Sequence, residues 1–284
     1  LKLGLNFRDK ARVIDDKCVS RYNLKKEGVT LLDNLESPYQ LAIDYDTNTL
    51  FFSHNNPDKN GEVFITSYLN LKNNETKMIP GISGGFANAV DYQAHKVYFG
   101  GRDGIYEFDY NTKSAKHTGA TRDNIWQMFY KNRLYYSEYP NEKIYIYDGG
   151  DDVRELKPLA DTRAMLVALD NNHDIFFVNS TGLFFYKTKT NQFVEIGEYN
   201  VNGFTADIDG NLYFSTPDGI FYIDESNDNT IDIKKLIALN DVYGLAVEGK
   251  EDFIVALSDK IIRLKYQQTE CIVNDKPNID DNNL

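Results

Sequence analysis

The chain has 284 residues, 42% apolar and 26% charged, with 43 acidic against 31 basic residues and a formal net charge of −12. That length allows one large domain or two small ones, with a core that needs no metal or disulfide staple. The acidity argues against a general nucleic-acid binder and against a protein held on anionic lipid, both of which need a basic face. The longest apolar run, Ala164–Leu169, is six residues, where a membrane helix needs about 20.

The predicted elements follow the chain. Residues 1–15 read as an N-terminal tail, 16–272 as one domain and 273–284 as a flexible acidic tail. KEGVTLLD (26–33) reads as a lone strand. Beyond it one short pattern recurs six times: LFFS at 50–53, VYFG at 97–100, LYYS at 134–137, IFFV at 175–178, LYFS at 212–215 and FIVA at 253–256. The copies are 47, 37, 41, 37 and 41 residues apart. Each is preceded by a small-residue apolar strand (QLAID, ANAVD, WQMFY, MLVAL, GFTAD, YGLAV). Each is followed by a third strand (EVFITSY, GIYEFDY, KIYIYD, GLFFYKT, GIFYID, KIIRLK), and in five units by a more polar fourth. The 20 Tyr and 17 Phe suit such pleated, half-buried surfaces. Asp103-Gly104 and Asp218-Gly219 fit tight hairpin turns. Four strands per period of about 41 residues is the spacing of a propeller blade, so the expectation is an all-β, six-bladed β-propeller.

The sixth unit lacks a fourth strand, and the strand at 26–33 resembles the missing one. The N-terminal strand is therefore expected to complete the last blade, removing two open sheet edges. Cys18 and Cys271, the two cysteines, read either as unrelated thiols or as a disulfide. Ring closure brings their segments together and favours the bond, which implies an oxidising compartment.

Catalytic signatures are absent: there is no Gly-rich phosphate loop, zinc motif or nucleophile elbow. His54, His95, His117 and His173 are scattered, and His95 and His173 fall in turns. Asp44, Asp91, Asp170 and Asp207 recur at the end of the first strand, where Asx capping of the turn explains them better than calcium does. No metal or cofactor is expected. Asn74 and Asn179 begin glycosylation sequons at expected surface turns, weak support for secretion.

The loops running into the innermost strands should converge on one mouth of the channel. They carry Tyr39, Phe86, Trp126, Phe204 and Tyr243, with Arg163 and Met165 in the remaining loop. The amides Gln40, Asn88, Gln127 and Asn202 alternate with them. Aromatic faces, amide edges and a guanidinium suit a flat conjugated ligand bearing a carboxylate; the competing reading is that the aromatics plug the channel. Few acids face the centre, which argues against a calcium-dependent lactonase of the gluconolactonase or paraoxonase type. That hydrolase and a protein-interaction propeller are the alternatives.

NLESPYQLAIDYDTNTLFFS, GISGGFANAV, NIWQMFYKNRLYYS, ALDNN and YNVNGFTADIDGNLYFSTPDGIF resemble the insect ommochrome-binding proteins of moth haemolymph, from about residue 30 to 265. The resemblance implies a secreted, non-enzymatic carrier of an ommochrome, a tryptophan-derived phenoxazinone pigment such as xanthommatin or ommatin. It supplies no mapped binding residues, so the site rests on the loops. A closed ring with a charged exterior is expected to be a monomer.

Overall fold

The structure, a computed structural model, describes residues 28–56, 64–227, 230–249 and 252–265. Its strands form six antiparallel four-stranded sheets. The innermost strand of each sheet packs beside that of the next, and the sixth returns to the first, so the sheets close into a ring. The expected six-bladed propeller is thus the fold. The tails and both cysteines lie outside the described residues.

Blade 1 comprises Glu36–Asp44, Thr49–Asn55, Phe64–Asn70 and Thr76–Met78, from axis to rim. Blade 2 is Ala87–Asp91, Lys96–Gly101, Gly104–Asp109 and Ser114–His117, and blade 3 is Ile125–Tyr130, Leu134–Glu138, Lys143–Tyr147 and Val153–Glu155. Blade 4 is Leu166–Leu169, Ile175–Asn179, Gly182–Lys187 and Gln192–Gly197, and blade 5 is Gly203–Ala206, Leu212–Thr216, Gly219–Asn227 and Thr230–Ala238. Blade 6 is Gly244–Glu248, Asp252–Ala256 and Ile261–Leu264, and Gly28–Leu32 supplies its outer strand. That strand runs antiparallel to Ile261–Leu264, with Gly28 opposite Leu264.

The repeated motif is the second strand of each blade, and packing explains its composition. Successive side chains on a strand point to opposite faces, and here each face meets another blade. Phe51 packs with Phe99 and Phe108 of blade 2, whereas Phe52 belongs to the apolar cluster shared with Ile254 and Ala256 of blade 6. Both are essentially buried, as are Phe99, Tyr136, Phe176, Phe177, Phe214 and Phe253. Each large apolar side chain so buried contributes about 1.5–3 kcal/mol. Outer strands have one sheet edge in water and keep exposed apolar residues such as Val29, Met78, Phe193 and Val194.

At one end of the ring the first strand turns into the second, and there the recurrent aspartates cap their own turns. Asp44, Asp91, Asp170 and Asp207 accept backbone N–H bonds from Asp46, Gln93, Asn172 and Asp209 at 3.1, 3.0, 2.9 and 3.0 Å. His95 and His173 sit in these turns with positive φ. At the opposite end, Gly104 closes the Gly101–Gly104 hairpin at φ 134°, where a Cβ would lie 2.3 Å from the Thr121 carbonyl oxygen.

Candidate functional site

The loops that feed the inner strands meet at the end opposite the aspartate-capped turns, here called the mouth. Local backbone irregularity sets which side chains face it. The pairing of Ile125–Tyr130 with Leu134–Glu138 slips between Ile125 and Gln127. Trp126 is the extra residue of that bulge: Ile125 and Gln127 stay buried while Trp126 turns outward, 39% exposed. A bulge commonly re-aims a side chain in this way. Two further slips flank Tyr39 on the first strand of blade 1.

These devices assemble a row of rings. Tyr243 lies 6.2 Å from Tyr39, Tyr39 stacks on Phe86 at 5.1 Å, and Phe86 stacks on Trp126 at 4.5 Å. Tyr139 continues the row 5.8 Å from Trp126, and Phe64 meets Phe86 edge-on at 4.6 Å. Phe86 is buried within the row, while Trp126 and Tyr139 present rings to solvent. The Tyr39 hydroxyl donates to the Asn202 carbonyl at 3.0 Å, reaching past blade 6 to blade 5. Burial, reinforced by Tyr243, pushes its pKa up to about 12, so it remains a neutral donor.

The remaining candidates are placed differently. Phe204 packs near Phe214 and lines the axial channel. Met165 packs into the core shared by blades 3–5. Gln127 donates to the carbonyls of Met128 and Val167 and accepts the Val167 N–H at 3.1 Å, tying blade 3 to blade 4. Asn202 donates to Val242 at 2.6 Å, tying blade 5 to blade 6. Asn88 donates to the Gln40 carbonyl, tying blade 2 to blade 1. Arg163 is exposed in the loop before Leu166–Leu169, ion-paired to Glu142 at 3.0 Å.

Sequence reasoning did not single out Phe64 and Tyr139. Phe64 opens the third strand of blade 1 and Tyr139 follows the second strand of blade 3, both at the strand ends that face the mouth. A signal existed: aromatic residues at the mouth-facing ends of the second and third strands.

On the axis, a cavity of about 50 Å³ is lined by Leu41, Asn88, Met128 and Phe204 and, toward the capped end, by Tyr45 and Tyr92. Pockets that take drug-sized ligands measure roughly 300–1,000 Å³. At the capped end, Asp44, Asp46 and His95 bring their ligating atoms within 4.8 Å of one another. The Asp44 carboxylate is already engaged by the Asp46 N–H, the Thr47 hydroxyl and the Tyr110 hydroxyl, as a turn cap should be. Asn74 is exposed in a turn, and Asn179 accepts from the Thr181 N–H at 2.8 Å.

No protein-family model matches the chain. It is 37% identical over 248 residues, 87% of this chain and 89% of the relative, to the ommochrome-binding protein of Manduca sexta. Among solved structures it resembles a gluconolactonase of Xanthomonas campestris, with a TM-score of 0.62 and 12% identity over 83% of this chain and 88% of that one. It also resembles a luciferin-regenerating enzyme, with a TM-score of 0.60 and 12% identity over 84% of this chain and 94% of that one. At such identity these two likenesses concern the fold alone.

Proposed function

We infer, because this chain belongs to the ommochrome-binding protein family, that it is a non-enzymatic carrier holding an ommochrome, such as xanthommatin or ommatin, against the aromatic row at the mouth. The observation that carries this reading is the row of rings Tyr243–Tyr39–Phe86–Trp126–Tyr139, stacked at its centre and tilted at both ends, which finishes in two solvent-facing rings. A planar dye laid on such a ledge extends the stack, each ring pair adding about 0.5–1.5 kcal/mol beyond area burial. With about 50 Å³ available along the axis, the fused rings lie at the mouth and not down the channel. Arg163 is the guanidinium of the converging loops. Its exposed pair with Glu142 is of the kind worth at most about 1 kcal/mol, so a ligand carboxylate can exchange into it.

The same reading makes the protein a secreted haemolymph monomer, N-glycosylated at Asn74 and Asn179 and closed by a Cys18–Cys271 disulfide. Family membership and the sequons support it, and no helix among the described residues is long and apolar enough to cross a membrane.

The test is a titration with xanthommatin. Stoichiometric binding with a shifted visible spectrum, indifferent to chelator, is the expected result. Lactone or ester turnover abolished by chelator, without pigment binding, would overturn it.

A further inference from the structure

Two amides at the mouth keep an unused atom. Asn88 is 4% exposed and lines the axial cavity. Its Nδ2 donates to the Gln40 carbonyl, while its Oδ1 has no partner among the described residues. Gln40 Nε2 is likewise buried and without a partner among them. Gln127 and Asn202 differ, since their donors are engaged by neighbouring blades. What remains on the adjacent residues 40 and 88 is one donor and one acceptor. Buried polar atoms of this kind find a partner in native proteins, either water or a ligand.

Tyr39 precedes Gln40 and runs across the mouth to blade 5, where one hydroxyl bond of 3.0 Å holds its tip. The segment beneath it is not relaxed. Ser37 at φ 47° and Gln40 at φ 44° are non-glycine residues in the left-handed region, and strand pairing slips on both sides of Tyr39. Backbone held in such a conformation persists only while its surroundings insist on it. The hydroxyl bond to Asn202 is one such restraint.

We propose, resting on the pigment-carrier reading, that Tyr39 is a latch across the mouth and that Gln40 Nε2 and Asn88 Oδ1 read the ligand's edge. The edge they fit is a hydrogen-bond acceptor beside a donor, as on an aromatic ring carrying a carbonyl next to an amine. When the Tyr39 hydroxyl leaves the Asn202 carbonyl, the two amide atoms are uncovered. The fused rings then stack on the Phe86–Trp126 ledge while the polar edge is hydrogen-bonded. Stacking supplies affinity for flat dyes in general, and the amide pair selects among them.

Trp126, the chain's one tryptophan, reports binding by fluorescence quenching, so equilibrium and stopped-flow titration with xanthommatin test each part. Gln40→Met keeps the length and removes the donor. It should weaken binding about 5- to 10-fold without lowering the melting temperature, because the deleted donor has no protein partner. Tyr39→Phe keeps the stacking ring and removes the latch bond, and should raise the association rate about 3- to 10-fold. Trp126→Ala, followed by pigment absorbance, separates the two levels of the argument. If it weakens binding while Gln40→Met leaves affinity unchanged, the amide pair holds only water, and the proposal falls with the carrier reading intact. An association rate that does not rise in Tyr39→Phe removes the latch. Unchanged affinity in both Trp126→Ala and Gln40→Met overturns this proposal and the mouth as the pigment site.

Discussion

At the two ends of the same inner strands, polar side chains are treated in opposite ways. At the capped end each recurrent aspartate is satisfied by its own turn. Asp207 alone accepts from the backbone of Asp209 and Asn211 and from the side chains of Asn211 and Tyr213. The six buried side-chain atoms without a partner among the described residues (Gln40 Nε2, Asn55 Oδ1, Thr66 Oγ1, Asn88 Oδ1, Ser137 Oγ and Ser215 Oγ) all belong to the mouth half. One end spends its hydrogen-bonding capacity on the fold. The other holds some back, at a cost in stability, and adds a row of rings that the core does not require. The same contrast explains why recurrent carboxylates need not signal a metal.

The comparison can be broken by experiments on either end. The largest expected effect is at the capped end. Asp170 is 2% exposed and accepts the N–H groups of Asn172 and Asp174 at 2.9 and 2.7 Å. Asp170→Ala leaves a buried donor unpaired and should cost about 2–3 kcal/mol in a urea melt, with pigment affinity unchanged; Asp170→Asn should recover much of it. Next comes Trp126→Ala, which should lower pigment affinity roughly 30-fold, about 2 kcal/mol, while moving stability little, because the side chain stands outside the ladder on its bulge. If the two variants exchange these signatures, the division between scaffold and site is wrong. Gln127→Leu sharpens the line within the mouth itself. It should cost about 1–2 kcal/mol of stability through the lost tie to Val167, and more stability than affinity.

The smallest effect is a pH dependence at the mouth end of blade 1. His54 Nδ1 donates to the Asn55 carbonyl, its Nε2 is bonded with the Ser67 hydroxyl, and the ring stacks on Phe52. Burial holds its pKa below the ordinary histidine value, with the Asn55 carbonyl opposing in part. In the folded chain the ring is therefore neutral where an unfolded one begins to take a proton, near 6.5. Stability should be full above that value, decline as pH falls below it, and stop declining below the folded pKa. Thermal melts from pH 7.5 to 5.5 should show this shallow loss, and His54→Gln should flatten it.

Much of the architecture was legible because burial on both faces forces an unusual strand. LFFS, LYYS and LYFS have no polar side to offer, and only an element sandwiched between two neighbours can be written that way. The N-terminal completion of blade 6 was legible for a related reason, since KEGVTLLD matches the polar outer strands. The loops also showed that Tyr39, Phe86, Trp126 and Tyr243 would meet. Side-chain direction past a bulge is a different matter. Trp126 and Gln127 are neighbours in sequence, yet a one-residue slip sends one into solvent and the other into blade 4. Alternation alone cannot say which goes where. Arg163 illustrates a second gap, for its partner Glu142 comes from a hairpin of another blade. Tyr139 belongs to that same hairpin and completes the row from a segment outside the converging loops.

The pairing of Gly28 with Leu264 also governs when the molecule can come into being. A ribosome delivers the first of these partners long before the last. Until Ile261–Leu264 is made, the early strand has nothing to lie against, and five completed blades wait as an open arc. Closure is then a contact of very long sequence separation, the kind that slows folding and leaves bare edges prone to association. A nascent chain released before Ile261–Leu264 would be an unclosed arc, a natural client for chaperones and an easy target for proteases.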